Sequence, residues 1–130
     1  NVRAAREQPL SPFIARYLQR GDVVFTTWRN DGNDDHGAVG RASATACNLV
    51  GARLFELPIW AWHWPLREGP MIPWQRARKV RLDSWNVARK LHAVHAYASQ
   101  LVGDPEIGLA PMLAQVLLER MRDPYEIVFA

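Results

Sequence analysis

The 130-residue sequence has one cysteine, no apolar run long enough to cross a bilayer and no strong excess of either charge. Each shortage excludes something. The lone Cys47 rules out an intrachain disulfide and fits a reducing compartment, so a cytoplasmic location is expected. Without about 20 consecutive apolar residues there is no membrane-spanning helix. Sixteen Lys and Arg against thirteen Asp and Glu leave a formal charge of +3. That is too little to argue for a nucleic-acid partner, though an anionic substrate stays open. No internal repeat, low-complexity tract or linker interrupts the chain, so residues 1–130 are expected to be a single domain portion able to bury a core. The chain opens on Asn1 rather than Met, so its true start can lie upstream and targeting is not legible.

What the sequence does hold is concentrated first in residues 23–36. Val23-Val24-Phe25-Thr26-Thr27-Trp28 has the composition of a buried parallel strand. The run breaks into a turn-rich loop with Gly32 and Asn33 and ends on Asp34, Asp35 and His36, just before a helical segment. In an open α/β sheet, ligands collect beyond the carboxyl ends of the strands. Asp31, Asp34, Asp35 and His36 are therefore candidate ligands for zinc or a similar divalent ion. The same residues also suit a plain helix start, where a carboxylate at the positive end is stabilised by roughly 0.3–1 kcal/mol.

Around this stretch the chain alternates. Ser11-Pro12 reads as an N-cap and first helical residue, with Phe13, Ile14, Tyr17 and Leu18 apolar and Gly21 closing the helix. Residues 37–50, rich in Ala, Gly and Ser, read as a helix that can lie close to a sheet, ended by Gly51. Asp83 or Ser84 caps a long helix whose Val87, Leu91, Val94, Ala98 and Leu101 form an apolar stripe up to Gly103. His92 and His95 lie on its surface. A last helix from Pro111 turns Leu113, Val116, Leu117 and Met121 inward, and residues 125–129 form a final strand. Such units imply a layered α/β fold. Four strands without an opening βαβ unit leave one edge and one sheet face uncovered, as in the second half of a fold.

Residues 54–65 are the second informative stretch. If extended, Trp60, Trp62 and Trp64 share one face and Ile59, Ala61 and His63 the other. The indoles serve either as core or as a wall on which a sugar ring stacks. His63 is either a hydrogen-bonded structural histidine or, at a strand's carboxyl end beside the acidic loop, a residue facing substrate. Residues 67–73 read as a loop. Arg76, Arg78, Lys79 and Arg81 form a basic alternation, either a phosphate-binding set or a solvated strand edge.

Taken together, these features resemble the C-terminal part of the PIG-L, or LmbE-like, N-acetylglucosamine deacetylase family. The likeness rests on the strand running into Trp28-Arg29-x-Asp31-Gly32, on Asp35-His36, and on Leu57-Pro58-Ile59-Trp60-x-Trp62-His63. It continues in Lys90-x-x-Ala93-x-x-x-Tyr97-x-Ser99-Gln100 and a closing Tyr125-Glu126, and so covers most of residues 10–130. The resemblance implies a Rossmann-like three-layer α/β sandwich, of which only the C-terminal part is present, and zinc-dependent hydrolysis of an N-acyl group from an amino sugar or glycoconjugate. It places one metal ligand on His36 and an orienting carboxylate on Asp35. It makes Trp28, Arg29 and Trp62 candidates for contacting the sugar.

Two departures accompany it. The family's His-Pro-x-Asp-type motif, which supplies the other ligands and the general base, is absent from these residues. The site is therefore expected to be completed by an N-terminal half or a second chain. The family's histidine three residues before the ligand is Asn33 here. An amide can donate to an oxyanion, where a donor is worth roughly 2.7–4 kcal/mol, but it cannot transfer a proton. His63 is the candidate to take over that transfer. The competing expectation is a sugar-binding module that has kept the fold and lost the chemistry.

Overall fold

A computed structural model describes residues 7–63, 72–104, 106, 108–113 and 115–130. Trp64, residues 67–71 of the expected loop, and the side chains of Ser99 and Val116 lie outside the described residues. The fold is α/β, with four strands in the order β1-β2-β4-β3: β1 (Val23–Thr27), β2 (Arg53–Leu57), β3 (Ala77–Arg81) and β4 (Tyr125–Phe129). Strand β1 runs parallel to β2, in the register Val23 opposite Arg53 through Thr27 opposite Leu57. Strand β4 runs antiparallel to β2, with Phe129 opposite Glu56. The sheet is thus mixed and open, compatible with a Rossmann-like arrangement. Among the described residues no helix is long and apolar enough to cross a membrane.

The chain divides into two compact units, one of Asn1–Arg78 with Ile127–Ala130 and one of Lys79–Glu126. In the first, helix α1 (Glu7–Ala15) packs on α2 (Asp34–Val50), and α2 packs on β1 and β2. Contrary to expectation, Ser11 and Pro12 do not open α1 but lie inside it, and the helix ends at Ala15 in i→i+3 turns through Leu18. Helix α2 begins three residues earlier than expected, and Gly51 caps it in the left-handed region at φ 77°. Its small residues let it approach the sheet: Ala38, Ala42, Ala46 and Cys47 are buried against a core that includes Trp28, Ile127, Val128 and Phe129. Burial pushes the Cys47 thiol up, which keeps it protonated and unreactive. Gly40 marks the closest approach, since a Cβ there would lie 2.6 Å from the Thr27 carbonyl oxygen and 2.8 Å from the Arg29 nitrogen. Strand β1 is not buried throughout: Val23 and Phe25 are exposed, and Phe25 stacks on Phe55 at 5.4 Å.

In the second unit the expected long helix is interrupted. Helix α3 (Ser84–Ala96), capped by the Asp83 carboxylate on the Asn86 N–H, stops where Tyr97 leaves helical geometry, and α4 (Ala98–Leu101) resumes after it. Val87, Leu91 and Val94 are half-buried, while His92 and His95 are exposed. Lys90 is anchored to Glu126 at 2.7 Å. Leu117 of α5 (Gln115–Arg120) is buried.

Candidate metal and substrate site

Because β1 and β2 are parallel, the loops that follow them emerge at the same edge of the sheet. Residues 28–36 follow β1 and residues 58–63 follow β2. The point where the two loops meet is Asp31. Its side chain is fully buried, and its carboxylate accepts N–H bonds from Ile59 at 2.9 Å, Trp60 at 2.7 Å and Ala61 at 2.9 Å. It also contacts His36 Nδ1 at 2.5 Å. A carboxylate that receives these donors takes Nδ1–H as one more, and the neutral imidazole then carries its lone pair on Nε2. The His36 side chain is 26% exposed. This is the arrangement by which proteins orient a metal-binding histidine, with a carboxylate on the far ring nitrogen.

The carboxylate on the His36 ring is thus Asp31, a contact the resemblance did not assign to it. Asp35 lies in the first turn of α2, and its backbone N–H, like that of His36, donates to Asn33 Oδ1 at 3.0 and 3.1 Å. Asn33 is therefore the N-cap of α2. Its amide oxygen is committed to the cap, and only its NH₂ group is left to donate elsewhere. The Thr27 hydroxyl, donating to the His36 carbonyl at 2.8 Å, ties this first turn to the end of β1.

The tryptophan stretch is not extended. Strand β2 ends at Leu57, Pro58 is buried, and Trp60–His63 forms a 3₁₀ turn. The Asp31 carboxylate gathers the unpaired N–H groups at the start of that turn, and this favours the turn over a strand. Side chains three apart eclipse in a 3₁₀ turn, and Trp60 accordingly stacks on His63 at 4.5 Å. Both ring nitrogens of His63 are buried, with no hydrogen-bond partner among the described residues. Trp62 is half-buried and tilted against the exposed Trp74, with ring centroids 6.5 Å apart. Trp28 cannot serve as a sugar platform. It is 1% exposed and packs edge-to-face on Phe129, so it is core.

Arg29 points to a residue the sequence reading passed over. Glu56 of β2 is fully buried and takes Arg29 Nε at 2.7 Å, Arg29 Nη2 at 3.1 Å, the Arg29 backbone N–H at 3.1 Å and Arg76 Nη2 at 2.8 Å. Burial raises the Glu56 carboxyl, but the bonds from Arg29 and Arg76 outweigh it and hold it below its ordinary value. The available signal was a carboxylate amid the apolar residues of a strand, between Phe55 and Leu57.

Among the described residues, no three His, Cys, Asp or Glu side chains converge as a metal cage. Of the residues gathered here, His36 is the one whose chemistry and orientation suit a ligand to a divalent ion. Compared with protein-family models, with curated proteins and with solved structures, the chain matches none.

Proposed function

We propose that this chain carries part of a metal-dependent N-deacetylase site, acting on an N-acetylated amino sugar or glycoconjugate, with His36 as one ligand to zinc or a similar ion. The observation that carries this reading is the buried Asp31, which holds His36 by Nδ1 beyond the carboxyl end of β1 and leaves Nε2 available. The resemblance of the surrounding motifs to the PIG-L and LmbE-like deacetylases supports the same chemistry. A bound divalent ion polarises an acyl oxygen and lowers the pKa of a water toward ~7. The chain's own part is to orient His36 through Asp31, to offer the NH₂ of Asn33 to a developing oxyanion, and to supply His63 as the proton donor. Trp62 is the aromatic surface proposed for the sugar, and Arg29 the charged group beside it. The other ligands and the general base are assigned to a further segment or a second chain. The cytoplasmic location belongs to the same proposal.

Metal analysis and a deacetylation assay on the complete protein test it. His36→Ala is expected to lose bound metal and activity together; unchanged metal content would refute the ligand assignment. A second reading, a sugar-binding module without turnover, draws on Asn33, whose oxygen caps α2 and which cannot transfer a proton. It expects carbohydrate binding that EDTA leaves unaltered.

A further inference from the structure

We propose that Arg29 and Arg76 form an oxyanion-binding subsite, with the buried Glu56 as the strut that positions both. The geometry begins with Glu56 Oε2, which accepts Arg29 Nη2 at 3.1 Å and Arg76 Nη2 at 2.8 Å. Because both Nη2 atoms rest on one oxygen, they can be no further apart than those two contacts end to end, a span that one phosphate or carboxylate can bridge. The guanidiniums are fixed on their other sides as well. Arg29 holds Glu56 as a two-point fork, and Arg76 Nε donates to the Ala130 carbonyl at 2.9 Å. Neither fork is used up. Nη1 of each arginine and one hydrogen of each Nη2 have no partner among the described residues, and the side chains remain 36% and 38% exposed.

Charge supports the same conclusion. A single buried carboxylate is neutralised by one guanidinium, yet Glu56 carries two, so these three side chains together bear a net charge of +1. Two cations sharing one oxygen repel each other, and a second anion in the exposed angle between them relieves that repulsion. Arginine suits the task because its planar fork meets oxyanions in two-point contacts and its charge persists at any working pH. If Glu56 served only to fill the sheet interior, Arg29 alone would satisfy it. Arg29 lies two residues beyond the end of β1, and Asp31 two residues further on, so Arg29 belongs to the same loop that carries the partner of His36. That the anion belongs to a substrate of the deacetylase site is the one step that rests on the reading above.

The test uses the complete protein after EDTA treatment, with inorganic phosphate and acetate as separate probes, followed by NMR at the Nε–H resonances of Arg29 and Arg76. Both resonances are expected to shift saturably with phosphate, with acetate or with both, and the tighter probe names the ligand. Arg76→Gln is expected to weaken binding at least 10-fold, and His36→Ala to leave it unchanged. The proposal is overturned if neither probe moves either resonance, if Arg76→Gln binds as the wild type does, or if His36→Ala abolishes binding. Should Arg76→Gln fail to fold, the wild-type resonances decide alone. Loss of metal in His36→Ala is read separately, so the subsite and the metal ligand can fail independently.

Discussion

Asp31 and His36 are five residues apart, and the carboxylate of one holds the Nδ1 of the other at 2.5 Å while its remaining lone pairs secure the turn 28–30 residues further on. One buried side chain thus sets both the histidine tautomer and the path of the chain after β2. Asp31→Asn separates these duties. An amide has one accepting oxygen. If that oxygen keeps Ile59 and Ala61, the NH₂ group meets the Trp60 N–H donor to donor, and His36 must turn its lone pair to Nδ1. The variant is expected to be about 1–3 kcal/mol less stable in urea, the penalty for a buried donor left unsatisfied. Its metal affinity is expected to fall about 10–100-fold. The ¹⁵N shifts of His36 report the tautomer directly; an unchanged tautomer with unchanged affinity refutes the orienting role.

The close approach of α2 to β1 yields a second prediction. A Cβ on Gly40 would sit 2.6 Å from the Thr27 carbonyl oxygen and 2.9 Å from the Arg29 Cα, and backbone cannot rotate away as a side chain can. Gly40→Ala gains helix propensity of about 1 kcal/mol but forces the helix off the strand, an overpacking cost of about 1–3 kcal/mol. The net expectation is a lower thermal midpoint, with the Thr27 and Arg29 resonances disturbed because both residues lie at that contact. A raised midpoint would show that the helix does not lie this close.

How much of this was legible follows from the range of each interaction. Strand β1, the acidic loop and helix α2 are announced within one stretch of sequence by an apolar run, turn residues and a Gly at the end, whereas the Asn33 cap emerges only from the structure. The sheet-edge position of the basic alternation in β3 could be read the same way. Glu56 and its arginines were not, because the partners come from 27 and 20 residues away and the one local sign, a carboxylate between Phe55 and Leu57, does not say what pairs with it. The extended reading of residues 58–63 failed for the same reason. Alternating tryptophans fit a strand locally, and the Asp31 carboxylate that favours a turn lies in another loop. The break at Tyr97 has no glycine or proline to announce it; its backbone sits at φ −89° and ψ 62° inside an otherwise regular stripe. Within the candidate site, the histidine was legible but its carboxylate was not. Asp31 and Asp35 are equally plausible by spacing, and only burial distinguishes them.

Glu56 predicts a pH dependence. Its carboxyl is held below the ordinary value of 4.5 in the folded chain, so the unfolded chain binds its proton more readily. The stabilisation is therefore present in full above about pH 4.5 and is lost as the pH falls through the lowered folded value. Glu56→Gln is expected to be less stable than the wild type at pH 6. The loss should lie toward the lower end of the roughly 3–5 kcal/mol seen when buried pairs are broken, because the two arginines are more than a third exposed and regain water. Urea midpoints measured from pH 6 to pH 3 should converge as the wild type loses its advantage. A gap that stays constant across that range would show that Glu56 is not held ionised by its two partners.

His63 offers the sharpest separation of stability from function. Its ring stacks on Trp60 at 4.5 Å, but both nitrogens are buried with no partner among the described residues. A buried polar atom without a hydrogen bond costs about 1–3 kcal/mol, so a ring of similar shape without nitrogens should improve the fold. His63→Phe keeps the stacking partner and removes the unsatisfied atoms, and its urea midpoint is expected to rise by the equivalent of about 1 kcal/mol. If the imidazole is kept in that position to meet substrate, the same variant of the complete protein should lose most of its deacetylation while retaining its metal. A residue with a purely structural role gives the opposite pattern, with reduced stability and activity lost only in proportion. Measuring the midpoint, metal content and turnover on one preparation distinguishes the two, and a destabilised but fully active His63→Phe would remove this histidine from the site.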